Sequence, residues 1–173
     1  MIDFYKGDYE PAGEKLGKAM KIVQQLGDPA GEAENWYAQA KIDLNKGDYE
    51  AAREKFETAM KIVQQIGDRE GEASIFCQLG FLAWDLGIFQ EGLCLVALAC
   101  LMLSSIGHAD ARGSSEDLYG MAMGLRYTQQ QLDSLMNEVV ESYQKDRGQS
   151  LIDAAFPKVD TDASSQSRNT VET

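Results

Sequence analysis

Between residues 51 and 66 the chain reads AAREKFETAMKIVQQI, and its apolar members Ala52, Phe56, Ala59, Met60, Val63 and Ile66 recur at steps of three and four. That spacing collects them on one side of an α-helix and leaves lysines, glutamates and glutamines on the other. The boundary residues agree. Gly67 suits the left-handed position that closes a helix, Asp68 suits the cap of the next one, and forty positions earlier Pro29 follows Asp28 as a first-turn residue. Helix, tight turn and helix is the predicted local unit.

The unit is written more than once. KGDYEPAGEKLGKAMKIVQQLGDPAGEA, from Lys6 to Ala33, returns from Lys46 to Ala73 with 20 of 28 positions identical. Self-similarity at a fixed period predicts a solenoid, in which each unit hides its apolar face only by stacking on the next. A diverged third copy keeps the register: Gly87, Phe89, Ala99, Ile106 and Gly107 answer Gly47, Tyr49, Ala59, Ile66 and Gly67. The predicted organisation is a partial repeat over 1–33, repeats over 34–73 and 74–111, capping helices over 112–157 and a disordered tail over 158–173.

Trp36, Ala40, Gly47, Tyr49, Ala52, Phe56 and Ala59 follow one another as large, small, turn, aromatic, small, aromatic and small, and Phe76, Leu79, Gly80, Gly87, Phe89, Val96 and Ala99 repeat the order. This resembles the tetratricopeptide repeat, whose small residues let paired helices approach while aromatics fill the gap between repeats. The period of forty and the missing terminal proline are similar to the long-helix repeats of kinesin light chain, Pins-type adaptors and bacterial multi-repeat signalling proteins. Asp43 and Asp3 stand where that pattern usually has an aromatic, and Gly92 replaces its alanine. The resemblance implies an all-α, right-handed superhelix of helical hairpins with a C-terminal helical cap.

The two ends differ. Apart from MIDFYK the first copy has no front helix, so the chain is expected either to be a piece of a longer array or to offer an open apolar edge on the helix from Gly13 to Leu26. At the other end, GLCLVALACLMLSSIG runs sixteen residues without a charge. That is short for a membrane span and coincides with the second helix of the third repeat, so a core helix is predicted. A helix apolar all round needs cover on several sides, and the segment from 114 to 156 is expected to supply it. There SSEDLYGMAMGL reads as a short helix. Thr128 and Gln131 form a capping-box pattern ahead of a helix whose apolar face is Leu132, Leu135, Met136, Val139, Val140 and Tyr143, ending at Arg147-Gly148, and SLIDAAF reads as a last turn or two.

Composition narrows the function. A formal net charge of -12 over 173 residues disfavours nucleic acid, which needs a basic face. The N-terminus has no secretory signal pattern, and Cys77, Cys94 and Cys100 are an odd set without a C-x-x-C, as expected of reduced thiols in a cytoplasm. One histidine, His108, sits in the slot held by Asp28 and Asp68; alone, it builds no catalytic triad or metal set and is read as a solvated turn residue. GDREGEA and GHADARG lack the Lys and Ser/Thr of a phosphate loop. No catalysis, cofactor or metal is expected.

In the resembled family the first helix of each repeat lines a concave groove. Its groove positions fall here on Glu34, Tyr37, Lys41, Leu44 and Asn45, and on Ser74, Cys77, Phe81, Trp84 and Asp85. Tyr37, Phe81 and Trp84 are aromatic anchors of the kind that dominate binding energy, unless the C-terminal helices fold over them. Family members that clamp acidic C-terminal peptides do so with Lys, Asn and Arg; Tyr37, Cys77 and Phe81 stand in those places, which favours an apolar or basic helical peptide instead. The expected function is a non-catalytic protein-binding scaffold. The alternatives are a regulatory end of a larger signalling protein, such as a nucleotide-switch ATPase, and self-association through the open N-terminal edge.

Overall fold

A computed structural model of the chain describes residues 9–157; MIDFYK, Asp3 and the tail 158–173 lie outside the described residues. Eight helices follow in order: α1 Tyr9–Leu26, α2 Pro29–Lys46, α3 Tyr49–Ile66, α4 Arg69–Asp85, α5 Phe89–Ser105, α6 Ala111–Gly124, α7 Gln129–Asp146 and α8 Gln149–Ala155. Among the described residues there is no strand, and consecutive helices pack as an all-α helical repeat solenoid. None of these helices is long and apolar enough to cross a membrane.

Local chemistry sets the boundaries. Asp28, Asp48 and Asp68 each accept a hydrogen bond from the amide three residues on, at Gly31, Ala51 and Gly71. Each satisfies one of the orphan amides of a first turn. Gly27, Gly47, Gly67, Gly87 and Gly107 all take φ between 64° and 82°, the left-handed conformation that ends a helix without a β-carbon clash.

The hairpins α2–α3 and α4–α5 are the two complete repeats. In the first, Ala40 and Ala52 are both fully buried, Tyr37 meets the edge of Phe56 at 5.6 Å, and Lys55 pairs with Asp43. That ion pair accounts for a carboxylate where the repeat pattern has an aromatic. In the second, glycines replace the alanines and the backbones approach directly: a β-carbon on Gly92 would lie 2.8 Å from the Gly80 carbonyl oxygen. Two expectations need correction. Tyr49 and Phe89 are more than one third exposed and do not fill the gap between repeats, whereas Phe56 and Phe76 are fully buried, the first against Tyr37 of its own hairpin and the second against Tyr143. Ile66 also lies outside the buried stripe, which ends at Val63, because the helix has reached the solvent-facing turn.

The forty-residue register runs further than the sequence pattern suggests. Gln129 opens α7 forty positions after Phe89 opens α5, and Arg147, at the site of Gly67 and Gly107, takes the same left-handed conformation with φ 58°. The packing does not follow. Instead of forming a hairpin with α6, α7 joins α6 and α8 in covering α5, so the apolar run is enclosed by four helices, α4 included. Leu132 occupies the site of Ala52 and Gly92 and is too large for that close crossing. It is buried with Leu135 and Val139 on the face that α7 turns inward.

A polar node fastens this cover. Glu72, fully buried on α4, accepts from Tyr143 Oη at 2.9 Å, from Gln64 Nε2 at 3.0 Å, and from Arg147 Nη2 at 3.2 and 3.3 Å to its two oxygens. Arg69 Nη1 adds a contact at 3.4 Å, and Arg147 Nη1 donates to the Gln64 carbonyl at 3.0 Å. A buried carboxylate needs such a set of donors, and here they come from α3, α4 and the α7 end together.

Candidate functional site

The first helices of the two complete repeats, α2 and α4, leave a cavity of about 370 Å³ between their N-terminal halves. Ala33, Val63 and Ile75 form its apolar floor, Tyr37 a wall, and Glu34, Asp68, Glu70 and Ser74 its polar lining. Three carboxylate residues over an apolar floor suit a cationic group carried on an aliphatic stem. Burial pushes the Tyr37 hydroxyl pKa up, and the nearby Cys77 adds to the rise, so the phenol stays neutral.

The structure divides the expected groove positions. Glu34, Tyr37 and Ser74 line the cavity. Lys41 is exposed and holds its ammonium 5.7 Å from the Tyr37 ring centroid. Leu44 is half-buried against the core, while Asn45 and Asp85 are exposed where α2 and α4 end. Cys77, Phe81 and Trp84 continue along α4 and are half-buried. Trp84 packs edge-on against Phe89 at 4.9 Å, and a β-carbon on Gly124 would lie 4.0 Å from its Cζ2. The Cys77 thiol pKa is raised to about 11, first by burial and then by Asp117 and Cys100. Asp117 and Gly124 both belong to α6, which therefore borders this part of the face.

Asp68 and Glu70 are the acidic lining residues that sequence reasoning did not assign to a site. Asp68 reads as a cap, which it also is, through the Gly71 amide. Glu70 has only a weak repeat signal, because its copies are Ala30 and Asp110. His108 is more engaged than a solvated turn residue: Nδ1 accepts the Asp110 amide at 3.1 Å, and Nε2 lies 3.0 Å from Glu70 Oε1. It ties the approach to α6 to the start of α4. Among the described residues no group of three or more His, Cys, Asp or Glu is placed to hold a metal.

No family model, curated protein or solved structure matches the chain. The helical repeat architecture therefore stands on the coordinates, and the site on its own geometry.

Proposed function

We propose that this chain is a non-catalytic protein-interaction module of tetratricopeptide type, acting in the cytoplasm, whose α2–α4 face receives a peptide or helix bearing apolar and basic side chains. The cavity beside Tyr37 carries this reading. A lysine or arginine stem would lie on Tyr37 and Ile75 while its charged end meets Glu34 and Glu70, and the net charge of -12 favours the same partner at longer range. A nucleic-acid backbone would be repelled.

Selection from a displayed library of random peptides tests it. Peptides enriched in lysine or arginine next to an aliphatic residue are expected, with affinity falling at least tenfold for Glu34→Lys and for Tyr37→Ala while helical circular dichroism is unchanged. Selected peptides that are acidic, or that bind both variants as well as the parent, would refute the assignment.

A further inference from the structure

Among the described residues α1 and α6 each lack the hairpin partner that α2–α3 and α4–α5 have. α1 has the sequence of a second helix, matching α3, but among the described residues no first helix precedes it. α6 stands where the first helix of a further repeat belongs, flanking α4 and packing on α5, but α7 has left it. The exposed residues mark both losses. Ala12 and Ala19 are only half-buried, whereas their copies Ala52 and Ala59 are fully buried; Ile22 is 56% and Leu26 74% exposed, against 40% for Ile66, the copy of Leu26. On α6, Tyr119 is 50% and Met123 77% exposed, although their copies on α4, Leu79 and Ala83, are fully buried under α5.

We infer that α1 of one molecule docks on α6 of a second copy, completing the missing hairpin in trans. The two intact hairpins show what covers such faces. At their crossing Gly80 faces Gly92, and Ala40 and Ala52 hold the same positions, both fully buried; forty positions out, Gly120 would face Ala12, again small against small, and a β-carbon on Gly120 would meet nothing within 4 Å. Antiparallel packing on that register sets Glu116, with Asp117 beside it, level with Lys18 of α1; Glu116 already pairs with Arg112 on its own helix at 3.2 Å, and the second carboxylate leaves a net negative strip facing the lysine. It also carries Ile22 and Leu26 to the start of α6, where Ile106 is 43% exposed. The contact is heterologous and each molecule has one half of each kind. Association therefore does not stop at two copies unless a ring closes. This surface is separate from the α2–α4 cavity and does not depend on its role.

Light scattering with two charge variants tests the inference. The parent should exceed its monomer mass of 19.1 kDa progressively with concentration. Ile22→Glu and Met123→Glu alter exposed side chains, should keep parental circular dichroism, and should each stay monomeric when alone. Mixed one to one, they should form a species of twice 19.1 kDa and nothing larger, since one intact α1 and one intact α6 remain. Continued association of Met123→Glu alone would mean that α1 pairs with α1 and would overturn the inference. So would a constant monomer mass of the parent, which would assign the α1 face to the chain's own first residues or to another protein.

Discussion

Gly80 and Gly92 face one another where α4 crosses α5: a β-carbon on Gly80 would come within 2.9 Å of the Gly92 carbonyl oxygen and 2.6 Å of Val96 Cγ2. Replacing a mid-helix glycine by alanine normally stabilises by about 1 kcal/mol through helix propensity. Here the opposing term is the larger one, because the obstacle is backbone and overpacking costs about 1–3 kcal/mol. Gly92→Ala should lower the melting temperature. Gly17→Ala, on α1 where a β-carbon meets nothing within 4 Å, should raise it. Thermal unfolding followed by circular dichroism gives both signs, and a Gly92→Ala protein as stable as the parent would contradict the close crossing.

Glu72 and Arg147 join the repeats to the C-terminal helices. Glu72→Ala removes the acceptor that Tyr143, Gln64 and Arg147 share and should cost about 1–3 kcal/mol, a range kept modest because the Arg147 side chain is partly exposed. Glu32, the copy of Glu72 on α2, has no described cover from α7; Glu32→Ala should change stability by less than about 0.5 kcal/mol. Urea unfolding of the two variants compares them directly, and equal losses would count against the node.

Cys77 and Cys94 have thiol pKa values raised from 9.0 to about 11, in each case chiefly by burial. Raised acid pKa values mean that the folded state favours the protonated thiols. Their contribution to stability is fully present below pH 9 and is lost as the pH rises through about 11. At pH 8 the thiolate fraction should be about a hundredfold below that of an unperturbed cysteine, and alkylation by iodoacetamide correspondingly slow. Labelling at the rate of an unfolded peptide would show that these thiols are open to solvent.

Thr128 begins α7 with a reciprocal cap: its hydroxyl accepts the Gln131 amide at 3.3 Å, and its own amide donates to Gln131 Oε1 at 2.9 Å. Thr128→Ala should cost about 1 kcal/mol. Hydrogen exchange should show the loss first in the opening turn of α7, with the amides of α3 and α4 unaffected.

Particular residues show how much was legible in advance. The Asp68 cap and its copy Asp28, the Gly67 turn and the Thr128–Gln131 pair act within a few residues of themselves, so their chemistry is complete in a short stretch of sequence. Of the groove that the tetratricopeptide resemblance implied, Glu34, Tyr37 and Ser74 come together around the cavity. Glu70 was missed because it lies on the first turn of α4, where its copies Ala30 and Asp110 disagree, and only the approach of α2 makes it part of a wall.

The sequence by itself determined the eight-helix rhythm, the stacking unit and the identity of the apolar helix that needed cover, since propensity, capping and periodicity are local or repeat at fixed distance. Only the tertiary structure decided where α7 goes. A leucine at position 132 and an arginine at position 147 carry no address of their own. The first is excluded from the close crossing that glycine or alanine permits, and the second finds the buried Glu72 across 75 residues of chain. That choice between competing packings, made by volume and by a buried carboxylate in need of donors, leaves α6 without a hairpin partner among the described residues.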